Sequence, residues 1–244
     1  MPPADTDSPR QTRAWNDAPN DALADALAAQ GLILRGGFHP CDEDGAPQGT
    51  GTILLVGNAG PAMWRAFSQV RTDGPDPLNN WTRQVLDTVA NRFGATALFP
   101  FDGPPYWPFQ RWAARAERVH PSPLGMLLQP RYGLWHAWRG ALAFPNRLEL
   151  PEQPDAASPC ESCAGQPCLT ACPVSAFGAA GYDAASCATW LRSPDRSYCL
   201  TRGCIARHAC PQGTDYRYAP PQAELHMASF VAGQPDSGLR LRDY

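Results

Sequence analysis

The chain has 244 residues, a formal net charge of −3 and a pI near 5.9, so no overall basic field marks it for nucleic acid. That length allows one or two domains, and no run of about 18 apolar residues is present to span a membrane. Eight of the nine cysteines lie between Cys160 and Cys210, with Cys41 alone before them, whereas a secreted disulfide scaffold would spread its cysteines along a short chain.

Residues 1–18 carry few apolar groups and no periodicity, and are expected to be disordered. Residues 21–29 place leucines four apart in an alanine-rich run that Gly31 would end, and 32–38 read as a strand. Residues 52–57 form a continuous apolar run of strand length, which predicts a strand buried on both faces. The next residues, Gly57-Asn58-Ala59-Gly60-Pro61, read as a tight turn into a helix starting at Pro61. They match neither G-x-G-x-x-G nor G-x-x-x-x-G-K-[ST], and a chain without lysine cannot supply the second, so no nucleotide site is expected. Large apolar residues at helical spacing predict that helix through Trp64, Phe67 and Val70, and another over 76–93. A strand over 96–101, a short helix over 109–117 and a longer strand over 134–144 complete an α+β or α/β layer with one core. Seven of the eight Trp precede residue 150 and are expected mainly to fill that core. The Pro-rich, polar stretch 145–158 reads as a linker.

The polar start MPPADTDSPRQTRAW has no apolar segment of an export signal, which predicts a cytoplasmic protein. There, thiols serve more often as metal ligands than as disulfides. Cys160, Cys163, Cys168 and Cys172-Pro173 are spaced C-x2-C-x4-C-x3-C-P. The ferredoxin run is C-x2-C-x2-C-x3-C-P, whose fourth Cys ligates the other cluster of a pair. A second set follows: Cys187, Cys199, Cys204 and Cys210-Pro211. Two sites of four ligands use all eight thiols. By analogy with crossed ferredoxin ligation, one [4Fe-4S] cluster would take Cys160, Cys163, Cys168 and Cys210, and the other Cys172, Cys187, Cys199 and Cys204. Two structural zinc ions and a disulfide framework are the alternative uses of these thiols, although zinc modules favour paired C-x2-C knuckles and only one is present. His208, between Cys204 and Cys210, reads as a neighbour rather than a ligand, and Cys41 as a plain small residue.

The order of cysteines, with Cys187 in an Asp-x-x-x-Cys helix between two runs, resembles the ferredoxin module of epoxyqueuosine reductases and corrinoid reductive dehalogenases. Upstream, Gln129-Pro130-Arg131-Tyr132-Gly133-Leu134-Trp135 with Trp138-Arg139-Gly140 resembles a segment of the cobalamin-processing proteins. The resemblance implies an α+β architecture: a nitroreductase-like domain of corrinoid-binding type over 19–150, a dicluster ferredoxin-like domain over 151–218 and a tail over 219–244. It also implies a cobalamin near Gly125, Gln129, Pro130, Tyr132, Gly133, Trp135 and Arg139, reduced through two [4Fe-4S] clusters. Tyr106, Trp107 and His136 are further pocket candidates. The chain departs from these families in carrying Gln129-Pro130 where the processing proteins have His-Pro, in insertions within both cysteine runs, and in ending soon after the module without a helical-repeat tail. No tRNA-modifying role and no nucleic-acid partner are therefore expected.

Two functions from different classes follow. One is an iron–sulfur oxidoreductase passing electrons to a corrinoid, for cobalamin reduction or processing or for corrinoid-dependent reduction of a small substrate. The other is a dicluster electron carrier that binds no corrinoid and docks a redox partner. Both require a partner protein as electron donor.

Overall fold

The apolar run after Thr52 becomes the central strand of a mixed sheet-and-helix body. The computed structural model describes residues 20–153, 156–179, 181–193 and 197–234; the expected disorder of residues 1–18 lies outside them. Helix α1 (Asn20–Ala28) buries Leu23 and Leu27, the leucines four apart, and Gly31 turns the chain at φ +66° into β1 (Ile33–Phe38). A Cβ on Gly31 would lie 2.4 Å from the Ala62 backbone, so a side chain has no room in that turn.

Strand β2 (Thr52–Ala59) is buried from Thr52 to Asn58. It pairs antiparallel with β1 on one side and with the strand His136–Phe144 on the other. Alternation along β2 sends Leu54 and Val56 to one face and Ile53 and Leu55 to the other. The first face packs against α1, α2 (Ala62–Val70) and α3 (Pro77–Phe93) through Met63, Phe67, Trp81 and Leu86. The second packs against α4 (Phe109–Ala116) through Phe109, Trp112 and Ala113. The body therefore has two cores, one on each face of the sheet, and each fully buried large side chain contributes roughly 1.5–3 kcal/mol.

Strand β3 (Thr96–Leu98) pairs with the far edge of the long strand and ends three residues earlier than the sequence pattern predicts. Pro100 has no N–H for the ladder, and Phe99 turns into the core. Two short strands follow, β4 (His120–Pro121) and β5 (Leu127–Leu128), and then β6 (His136–Phe144). The four-stranded order is β1-β2-β6-β3, antiparallel throughout. Trp64, Trp81 and Trp112 are buried in these cores, while Trp135 is buried in a separate cluster with Tyr218 and Ala223.

The stretch after β6 lies along the body. Thr52 Oγ1 donates to Asn146 O (2.9 Å) and accepts from Leu148 N (2.8 Å), while Leu148 and Leu150 pack on the first core. Beyond it come α5 (Pro167–Thr170), the hairpin β7 (Phe177–Gly178) and β8 (Gly181–Tyr182), α6 (Ala184–Arg192), α7 (Ser197–Arg202) and α8 (Ile205–Ala209). Asp183 caps α6 by accepting from Ser186 N at 2.9 Å. The segment after Tyr218 forms α9 (Pro220–Ala232), which packs against α6 and α7. No helix among the described residues is long and apolar enough to cross a membrane.

Candidate functional site

The short elements after residue 158 fold around two cavities, each walled by four thiols. Cys160, Cys163, Cys168 and Cys210 line the first, together with Pro123 and Leu128 from the body. Cys172, Cys187, Cys199 and Cys204 line the second, with Phe177, Trp190, Ile205 and Met227. These are the two quartets that the spacing suggested. Local geometry explains the interleaving. Cys204 and Cys210 sit at opposite ends of α8, so one faces each cavity. Cys168 lies in α5 and Cys172 just beyond it, where the chain leaves one cavity for the other. At about 1.5 Å per helical residue, the thiols flanking α8 are roughly 9 Å apart along the axis.

Burial is the main force on these thiols, and it raises the pKa of Cys160, Cys168 and Cys187 and pushes Cys204 up to about 11. Next comes thiol repulsion for Cys160 and Cys168, whereas for Cys187 and Cys204 a hydrogen bond, from Tyr182 and from the Arg207 N–H, lowers the pKa before repulsion adds to burial. Cys160 and Cys168 feel Cys210 and Cys163, while Cys187 and Cys204 feel Cys199. Four such thiols cannot all ionise unless a cation holds them. Ala176 N donates to Cys172 Sγ at 3.3 Å, and the Tyr182 hydroxyl donates to Cys187. Among the described residues no three His, Cys, Asp or Glu side chains close on a point suited to one metal ion.

The body meets the thiol region along residues 122–138, and two clefts flank that contact. Cleft one, about 340 Å³, lies between Gly125–Leu127, Leu134, His136–Trp138, Arg207 of α8, and Tyr218 and His226. Cleft two, about 370 Å³, is lined by Arg35, Glu117, Arg118, Arg131, Tyr132 and their neighbours. A buried network connects the two. Arg35 Nη2 lies 2.8 Å from Glu117 Oε1 and 3.2 Å from His136 Nδ1, and Glu117 Oε1 also accepts from Trp138 Nε1 at 2.8 Å. His136 Nε2 donates to Leu127 O at 3.1 Å, so its Nδ1 is the acceptor for Arg35. Burial, then Arg35 and Arg207, hold the His136 pKa down to about 2, which keeps the ring neutral. Burial raises the Glu117 pKa against the opposing pull of Arg35.

The seven residues linked by resemblance to a corrinoid do not share one cavity. Gly125 lines cleft one; Gln129, Pro130 and Tyr132 line cleft two. Gln129 Oε1 accepts from Arg131 N (2.7 Å) and Tyr132 N (2.9 Å), closing the turn that Gly133 completes. Gly133, at φ +58°, abuts the thiol region: a Cβ there would be 2.1 Å from Gln212 O. Trp135 is buried beneath the Arg207 guanidinium, 4.3 Å away, and Arg139 is half-buried with Nη2 on Asn79 Oδ1 and Thr82 Oγ1, each 3.1 Å. Tyr106 is exposed, Trp107 stacks on Trp112, and His136 lines cleft one. His208 donates to Arg202 O at 2.8 Å and is not among the residues lining either thiol cavity; Cys41 lies apart, beside Asp44 and Arg115. Sequence reasoning missed Arg35, Glu117, Arg207, Tyr218 and His226. Only Arg207 carried a signal, its place between Cys204 and Cys210.

No protein-family model and no curated protein matches this chain. Solved structures do: the chain has the fold of epoxyqueuosine reductase. The enzyme from Streptococcus thermophilus aligns with a TM-score of 0.50 at 15% identity, covering 84% of this chain and 70% of that one. An epoxyqueuosine reductase bound to a tRNA-Tyr epoxyqueuosine-modified stem loop aligns at 0.51 and 16%, covering 84% and 68%. A protein of this fold thus engages RNA at a tRNA stem loop, which corrects the expectation, drawn from net charge, that nucleic acid is excluded as a partner. Net charge sums the whole surface, whereas binding depends on local patches.

Proposed function

We propose that this chain is an iron–sulfur oxidoreductase that holds two [4Fe-4S] clusters and passes electrons from a protein donor to a small acceptor in cleft one. Cys160, Cys163, Cys168 and Cys210 would hold one cluster, and Cys172, Cys187, Cys199 and Cys204 the other. The observation that carries this reading is the gathering of eight buried or half-buried thiols into two separate four-thiol cavities. When bound, the clusters would supply one-electron transfer.

The chain's own residues set direction and environment. Pro123 and Leu128 of the body wall the first cavity, which sits on the loop that also borders cleft one; the second cavity is lined by residues of the thiol region. Electrons would enter at the second site and leave from the first. N–H and O–H donors to Cys172 and Cys187 would raise the potential of the second cluster. A corrinoid would be reduced at the seam beside this cleft, and the cleft itself would take the small acceptor. The cleft supplies apolar walls and a His136 whose two nitrogens are already engaged, leaving His226 as its remaining imidazole.

Anaerobic purification followed by Fe, sulfide, Zn and Co analysis and a hydroxocobalamin titration tests the reading. The expectation is about eight Fe per chain and a cobalamin spectral shift. Iron without a corrinoid response would leave the alternative, a dicluster carrier docking a redox partner; zinc without sulfide would overturn both. Cys172→Ala should lower iron by about half, with the surviving spectrum that of the first cluster.

A further inference from the structure

Cleft one carries an electrostatic imbalance. No carboxylate lines it. Arg207 forms part of its wall, with its guanidinium 4.3 Å from the Trp135 ring centre and 4.6 Å from that of Tyr218, and donates Nε and Nη2 to Leu134 O. Arg139, half-buried and not among the residues lining the cleft, has no carboxylate beside it: Nη2 reaches the neutral Asn79 and Thr82, and the buried Nε has no partner among the described residues. A buried guanidinium paired only with neutral groups is expensive, because burial removes its hydration without supplying an opposite charge.

Both histidines of the cleft register the same field. After burial, His136 is depressed by Arg35 and Arg207, and His226 by Arg139 and Arg207, which holds His226 at about 4. Glu117 cannot offset these charges, since its oxygens are taken by Arg35 and Trp138. On α9, one turn before His226, Gln222 is fully buried and neither of its amide atoms has a partner in the protein. Met126, Leu127, Leu134 and Trp138 make the remaining wall apolar.

We infer that cleft one is a binding site for an organic anion, a flat and largely apolar molecule bearing a carboxylate that is held in the field of Arg207 and Arg139. The anion supplies the opposite charge that Arg207 lacks, through charge-assisted hydrogen bonds in a site with little competing water, and Arg139 adds only to the field. This deepens the reading above by naming the charge class of what the cleft takes. Its test is a binding measurement, separate from the metal and sulfide analysis that decides that reading.

The anaerobically purified protein is titrated by calorimetry with 2-naphthoate and with its neutral isostere 2-naphthamide. The expected result is a dissociation constant for naphthoate lower by about tenfold or more. Arg207→Gln should erase most of that preference, Arg207→Lys should keep much of it, and Arg65→Gln on the exposed side of α2 should leave it intact. The comparison of the two ligands on the unaltered protein stands even if Arg207→Gln folds poorly. Equal affinities, tighter naphthamide, or failure of both to bind would overturn the inference.

Discussion

The body closes two cores around a fully covered β2, with Trp112, Phe67 and Leu86 wholly buried and α3 running 17 residues. The thiol region has little of this. Apart from α9, its helices run from four to nine residues, and its apolar clusters are small and built partly from the cysteines themselves. Helices shorter than about 12 residues are marginal on their own. The difference teaches that apolar burial accounts for the body but not for the thiol region, which on the proposed reading would draw its stability from clusters held by its thiols.

The strongest way to break that contrast is to remove the thiol-bound group with a chelator under mild oxidation. Hydrogen exchange read by mass spectrometry should show protection lost across residues 156–218 and retained in β2 and β6. Equal loss in both regions would show that the body depends on the same source. Next in size, Trp112→Ala should cost the body about 3–5 kcal/mol, measured by urea unfolding, without lowering iron content. Its ring is fully buried and its Nε1 donates to Asp44 O at 2.9 Å.

Acid sharpens the comparison where the regions meet. His136 on β6 and His226 on α9 have folded pKa values depressed from 6.5 to about 2 and about 4. Their unfolded forms take up protons near 6.5 while the folded forms do not. The stability they contribute is therefore complete above pH 6.5 and lost as pH falls toward 4, by up to about 1.4 kcal/mol per unit for each ring. Denaturant titrations from pH 7 to pH 4 should show that slope, and His136→Gln should halve it. The smallest expected effect is at the seam. Gly133→Ala, facing Gln212 O at a positive φ, should cost about 1–3 kcal/mol in thermal unfolding.

Much of the body was legible in the sequence. Leu23 and Leu27 at helical spacing, the apolar run of β2 and the helical spacing of apolar residues in α3 are local patterns, and local patterns report local structure. The division of eight thiols into quartets came instead from the analogy with crossed ferredoxin ligation, since Cys210 joins Cys160, Cys163 and Cys168 from the far end of the thiol region. The shortened β3 and the helix α9 were not legible. Pro100 and the inward turn of Phe99 override the first pattern, and the alanine-rich face of the second gains its meaning from α6 and α7.

The sequence by itself determined a body of mixed helices and strands and a separate thiol-dense region. Only the tertiary structure decided where the clefts lie and what charge they carry. Arg35, Glu117 and His136, like Arg139, Arg207 and His226, come from distant parts of the chain. Their pairing and its desolvation arise from packing, and no spacing along the chain encodes them.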